Sequence, residues 1–153
     1  MKKEQEIDFE NSLGPWMGKT VKITEYFLHK GFKENGLDLT KEQMIVLKKL
    51  HENDGLNQNE LAFLVLRDKS SLARLLSKME KKGYIKRLQC EKDKRCNNVF
   101  LTSFGKKVFS KCKPIVKNLI QMSETGITKE EKELVINILK KVQNNFGEKS
   151  ETL

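Results

Sequence analysis

Prolines, histidines and cysteines are scarce in this 153-residue chain, and each scarcity closes off a class of function. The three cysteines, Cys90, Cys96 and Cys112, are odd in number and fall in no CxxC or Cys/His ligand spacing. That pattern argues against a secreted disulfide framework and against a zinc site, and a reducing cytosol suits it best. Two histidines and scattered cysteines supply neither a nucleophile beside a base nor a metal cluster, so no enzyme, metal or cofactor is expected. The opening MKKEQEIDFENSLG has no apolar core of signal-peptide length, and the longest aliphatic run, LAFLVL, is far too short to cross a bilayer. A soluble, cytoplasmic protein with no membrane partner is the expectation. Internal repeats and low-complexity stretches are also lacking.

A chain of this length can hold one ordinary core, or two lobes that share helices. With Pro15 and Pro114 its only prolines, and with many Leu, Lys and Glu residues, it favours a mostly helical fold. Trp16, Met17, Val21, Ile23, Phe27 and Phe32 recur at helical spacing between Leu13 and about Asn35, and Gly36 ends that helix. Thr40 with Gln43 forms a capping box for a second helix, whose buried stripe is Met44, Leu47 and Leu50 up to the Asn53-Asp54-Gly55 break. Asn57 with Glu60 repeats the capping pattern, Leu61, Leu64 and Val65 form the inward face, and Arg67-Asp68 turns the chain into a fourth helix capped by Asp68. In that helix Leu72, Leu75, Leu76 and Met79 share one side. Ser70, Arg74, Ser77 and Lys81 fall opposite, with Ser71 and Lys78 on the flank.

Gly83 stops the fourth helix, and Tyr84 to Leu88 and Val99 to Leu101 read as two strands joined by a charged loop. Thr102 then caps a long helix through Val108, Phe109, Ile115, Leu119 and Met122, bent near Pro114 and closed by Gly126. A last helix runs from about Thr128 to Phe146, and GEKSETL reads as a frayed tail. Two short helices, a tight turn and a charged hairpin are the layout of a winged helix-turn-helix, a device for reading double-stranded DNA.

Charge agrees with that layout. Residues 67 to 95 hold eleven Lys or Arg against Asp68, Glu80, Glu91 and Asp93, a net +7 out of the chain's +9. Residues 1 to 66 carry a net −2 and residues 96 to 153 a net +4. A compact basic patch is the electrostatic footprint of a polyanion partner. On the fourth helix Arg74 is the best base-reading candidate, because a guanidinium bonds bidentately to guanine O6 and N7. Lys69, Ser70, Ser71 and Lys78 suit phosphates or adaptable contacts. The plainer reading, that these residues solvate an exposed helix face, loses ground once the basic wing follows. In the wing, Lys94 and Arg95 are the contact candidates. Asp93 and Arg95, two apart, are expected to form a charge-assisted pair that holds the arginine ready for the narrow minor groove. An ordinary exposed salt bridge is the alternative.

GLNQNELA, DKSSLARLLSKMEKKGYIKR, DKR and LTSFGKK together resemble the winged-helix core of the multiple antibiotic resistance regulator (MarR) family. LTKEQMIVLKKL and ITKEEKELVINILKKV extend the likeness to about residues 37 to 147. The resemblance implies a mainly α fold with a small β-wing. It puts a winged helix-turn-helix DNA-binding lobe at 37–101 and a helical dimerisation lobe at 8–36 and 102–147. Lys69 to Lys82 takes the place of the recognition helix, and Asp93 and Arg95 that of the family's wing signature. It further implies a homodimer on an inverted-repeat operator with half-sites about one helical turn apart, acting as a repressor and released by a small-molecule effector.

Trp16, Met17, Phe27 and His29 could line an effector space, although dimer core is the simpler role for the apolar three and a structural or exposed one for His29. Some relatives sense oxidants through a cysteine near the start of the first helix, and this chain has none there. Cys90 and Cys96 flank the wing loop. They either fill reduced strand ends or approach each other, in which case a disulfide would deform the DNA contact and make the regulator redox-responsive. Cys112 reads as packing. A basic module that coats nucleic acid without sequence preference is the remaining alternative.

Overall fold

The computed structural model describes residues 6–65 and 67–147. Leu66 of the aliphatic run and residues 148–153 of the tail lie outside the described residues. Residues up to Leu119 make one compact unit and those from Ile120 a second. In chain order the elements are α1 (Leu13–Glu34), α2 (Lys41–Glu52), β1 (Leu56–Asn57), α3 (Gln58–Leu64), α4 (Lys69–Lys81), β2 (Ile85–Gln89), β3 (Asn97–Leu101), α5 (Ser103–Ser123) and α6 (Lys129–Asn145).

Local chemistry sets most of these boundaries. Thr40 and Gln43 make the capping box that starts α2, and Asn57 and Glu60 make the one that starts α3. Each box satisfies backbone donors that a helix start would otherwise leave open. Asp68 accepts the backbone N–H of Ser71 and so caps α4. Gly83, with φ at +78°, takes the left-handed conformation that ends that helix at low steric cost. Thr102 accepts the N–H of Gly105 at 2.9 Å and starts α5, which continues to Ser123 with Pro114 inside it.

The sheet is antiparallel in the order β1-β3-β2. Ile85 pairs with Leu101 and Gln89 with Asn97, so the first strand is shifted by one residue from the expected Tyr84–Leu88, and the second starts two residues before the expected Val99. Asn97 and Asn98 have weak strand preference and hide the start of β3. Strand β1 was not expected at all. Its two residues, Leu56 facing Val99 and Asn57 facing Asn98, are too few to display a period of two.

The core of the first unit joins Leu28 and Phe32 of α1, Val46, Leu47 and Leu50 of α2, Leu61 and Ala62 of α3, and Leu72, Leu76 and Met79 of α4. Ile85, Val99 and Leu101 of the sheet, Val108, Phe109 and Cys112 of α5, and Leu39 and Tyr84 from the connections complete it. Two details correct the sequence expectation. Ala62 is buried while Leu64 is 37% exposed, because the last turn of the short α3 carries Leu64 to the rim. In α2, Val46 is fully buried and Met44 half-buried. Gln43, the buried polar side chain of this core, accepts the Lys82 ammonium at 3.1 Å and the Thr40 N–H at 3.2 Å, so its burial leaves no unmet acceptor at that oxygen. In the second unit Thr128 and Glu131 form another capping box, and Lys132 pairs with Glu124 at 2.9 Å. Its helix α6 buries none of its side chains; Leu134, Val135, Ile136 and Ile138 are exposed.

Gly105 is where α5 crosses the chain leaving α4. A methyl group there would lie 2.9 Å from the Tyr84 carbonyl carbon and 3.2 Å from its Cα, against backbone that has no rotamer to yield. Gly105→Ala is expected to lower stability by about 1–3 kcal/mol, the usual cost of overpacking. Urea unfolding followed by far-UV circular dichroism checks this, and an unchanged midpoint would show that the crossing is not tight.

Candidate nucleic-acid interface

Burial of Leu72, Leu76 and Met79 turns the opposite side of α4 outward. Ser70, Arg74 and Lys78 follow one another at intervals of four and are all exposed, with Lys69 beside them at the helix start. Ser71 is half-buried on the flank. The two serines are already engaged. Ser70 donates its hydroxyl to Asp68 Oδ1 at 2.8 Å, and Ser71 Oγ accepts from Arg67 Nη1 at 2.7 Å. Hydrogen bonds from Ser71 N–H and the Ser70 hydroxyl hold the Asp68 carboxyl below the usual carboxylate range. Asp68 therefore remains an ionised cap. Arg67, Arg74 and Lys78 border one groove with Thr40 and Glu42 at the start of α2, which concentrates positive charge along that edge.

The wing is joined to α4 by a contact that sequence reading missed. Arg87 on β2 meets Glu80 of α4 through Nη2–Oε1 at 3.2 Å and Nε–Oε2 at 3.3 Å, and the Arg87 backbone N–H donates to the same carboxylate at 3.1 Å. A fourth contact runs from Arg87 Nη2 to Ser77 Oγ at 3.2 Å. Ser77 is thus bound to the wing and only half-exposed, not part of the open face. Hydrogen bonding from the Arg87 side chain holds the Glu80 carboxyl below its ordinary value. Opposite charges seven apart across Gly83 were the available signal, but they entered only as part of the net charge.

At the wing tip Asp93 behaves differently from expectation. Its Oδ1 accepts the backbone N–H of Arg95 at 2.9 Å, an Asx-turn, in place of a pair with the guanidinium. Alternation along a strand does not govern residues inside a turn. The loop is further closed by Cys96 N–H to Asp93 O at 3.0 Å and by Gln89 Nε2 to Lys94 O at 2.5 Å. Lys94 and Arg95 are exposed. From the wing loop Arg95 shares a cleft with Lys69 and Gln58, so the start of α4 and the wing present cations to one space. The structure also joins Cys90 and Cys96 in a disulfide, with Cα atoms 5.3 Å apart. Filler residues at reduced strand ends are therefore not what this structure contains. Cys112 is buried, its thiol pushed up to about 11 by desolvation.

Of the residues proposed for effector contact, Trp16 and Phe27 are exposed and Met17 half-exposed on α1. His29 Nε2 accepts the Lys41 backbone N–H at 3.4 Å, close to the Lys41–Glu25 ion pair at 2.6 Å. It thereby ties α1 to the start of α2. Among the described residues no group of three or more His, Cys, Asp or Glu could hold a metal ion, and no helix is long and apolar enough to cross a membrane.

A capped helix presented outward by its own core, followed by a basic hairpin locked to it, defines a winged helix-turn-helix protein. The MarR family profile matches residues 39–97. An uncharacterized HTH-type transcriptional regulator YybA of Bacillus subtilis is 34% identical over 72% of this chain and 73% of its own length. The transcriptional regulator HosA of Escherichia coli O157:H7 is 31% identical over 70% of this chain and 79% of its own. Among solved structures, a cysteine-to-serine mutant of MarR from E. coli complexed with operator DNA is 27% identical, with a TM-score of 0.78 over 85% of this chain and 92% of that one. A MarR protein from Peptoclostridium difficile is 25% identical, with a TM-score of 0.81 over 95% of both chains. The chain belongs to the MarR family of transcription regulators.

Asp93→Ala is expected to speed hydrogen exchange at the Arg95 amide by about fivefold, corresponding to roughly 1 kcal/mol for one lost hydrogen bond. Asp93→Asn should keep most of the protection, because its amide oxygen still accepts. Amide exchange followed by NMR distinguishes the two, and equal exchange in all three proteins would remove the Asx-turn from the wing.

Proposed function

We propose that this protein is a homodimeric, sequence-specific DNA-binding transcription regulator, a repressor that binds an inverted-repeat operator and is released by a small-molecule effector. The observation that carries the reading is the joint presentation of the open face of α4 and the basic wing, held together by Glu80 and Arg87. An α-helix fits the major groove of B-DNA, where Arg74 would read base edges while Lys69, Ser70, Ser71 and Lys78 contact phosphates. Lys94 and Arg95 would follow the backbone into the adjacent minor groove, with Asp93 fixing the turn that carries them. The similar E. coli MarR mutant was solved on operator DNA, which supports carrying this mode over to the present chain.

Two sets of uncovered apolar side chains support a homodimer. In the first unit Leu13, Trp16, Val21, Ile23 and Phe27 of α1 are exposed, Trp16 by 58%. In the second, Leu134, Val135, Ile136 and Ile138 are exposed on α6. Exposed large apolar side chains gathered on two helices suit an interface with a second copy of the chain. We propose the division 37–101 for DNA and 8–36 with 102–147 for dimerisation, which the exposed apolar side chains of α1 and α6 support.

Selection of bound DNA from a random duplex pool at about 150 mM salt tests the reading, because purely electrostatic binding is weakened there. Enrichment of an inverted repeat is expected; recovery of unenriched sequence would favour a coating module. Two substitutions refine the test. Arg74→Ala should cost about 1–3 kcal/mol of operator affinity and relax one operator position, and an unchanged sequence preference would exclude base reading by Arg74. Arg95→Ala should weaken binding to all duplexes and flatten the salt dependence. Unchanged binding would take the wing out of the mechanism.

A further inference from the structure

Cys90 and Cys96 occupy the first pair beyond the ladder of the wing, directly after Gln89 facing Asn97. Cys90 N–H donates to Cys96 O at 2.9 Å, so the backbone pairing runs unbroken through the disulfide. The bond therefore closes the hairpin at its natural register and leaves the ladder undeformed. As a staple it closes a short loop: the seven residues Cys90–Cys96 are enclosed, and loop-closure effects grow slowly with loop length. The first unit already has a continuous core. What the bond does constrain is the loop that carries Lys94 and Arg95, the latter bonded directly to Cys96. Both cysteines are half-buried, within reach of small molecules, whereas Cys112 is sealed in the core.

We propose that Cys90 and Cys96 form a reversible oxidation site, and that its disulfide form fixes the wing in a DNA-binding arrangement and tightens DNA binding. The inference rests on the DNA-binding reading above. The oxidant class is a hydroperoxide. One thiolate attacks the peroxide, the O–O bond breaks, and a sulfenic acid forms as water or an alcohol leaves. The second thiol then attacks that sulfur, the S–O bond breaks, water departs, and the S–S bond forms. Two cysteine thiols have together lost two electrons and two protons to the peroxide. A dithiol reverses the change through a mixed disulfide and is itself oxidised. With the tip closed, part of the ordering of Lys94 and Arg95 is completed before DNA arrives.

The test uses the full chain, treated either with hydrogen peroxide or with dithiothreitol. Peroxide should remove two hydrogens by intact mass, leave Cys112 alkylatable after denaturation, and be reversed by the dithiol. A Cys90→Ser/Cys96→Ser double variant should show no such loss. Binding is measured by fluorescence anisotropy on a random-sequence duplex at low salt, so no operator is required. The oxidised protein should bind roughly three- to tenfold tighter than the reduced one, the factor expected when one or two long side chains are ordered in advance. The double variant should match reduced protein under both treatments. Failure to form an intramolecular disulfide overturns the inference, and so does a disulfide that leaves affinity equal or lower. Protein that forms the disulfide but binds no duplex in either the oxidised or the reduced form would instead overturn the DNA-binding reading, and the inference with it.

Discussion

Burial of one side of α4 is the constraint on which the rest depends. Leu72, Leu76 and Met79 are fully enclosed, and each such side chain contributes about 1.5–3 kcal/mol through removal of apolar surface from water. Their periodicity leaves no rotational freedom to the helix. Ser70, Arg74 and Lys78 must then face solvent, because they lie across the same cylinder. A cation-bearing surface thus arises from packing on the other side, and the Asp68 cap sets where it begins.

A presented helix alone would be an ordinary amphipathic element. What makes it one half of an interface is its link to the wing. Glu80, on the exposed margin of α4, receives two guanidinium bonds and one backbone bond from Arg87, so the orientation of the hairpin follows that of the helix. Exposed ion pairs contribute little to stability, about 0–1 kcal/mol. Geometry is the stronger role here: a fork with a third donor restricts the angle between the two elements in a way that a single contact would not.

Elements with local signatures were legible from sequence. Thr40 with Gln43, Asn57 with Glu60, Asp68 and Gly83 each announce a boundary through chemistry confined to a few residues, and the structure has a helix end at each. Features that depend on register or on distant partners were not. The two residues of β1 exist as a strand only because β3 lies beside them. The Arg87–Glu80 fork depends on how the chain folds back after Gly83. Asp93 was assigned the guanidinium of Arg95 by counting along a strand, but at a turn the nearer donor is the backbone N–H. The meeting of Cys90 and Cys96 follows from the pairing of Gln89 with Asn97, which spacing alone left open.

The apolar residues of α1 and α6 that remain exposed, Trp16 and Leu134 among them, are as informative as the core, since exposed apolar surface of this kind is where the homodimer is proposed to form. The central claim is that α4 and the wing act as one surface. Hydrogen exchange across the whole chain, compared with and without a bound duplex, tests it most directly. Added protection confined to residues 67–82 and 86–98 together is the predicted result. Protection of only one of the two, or of α6 in place of both, would contradict the account.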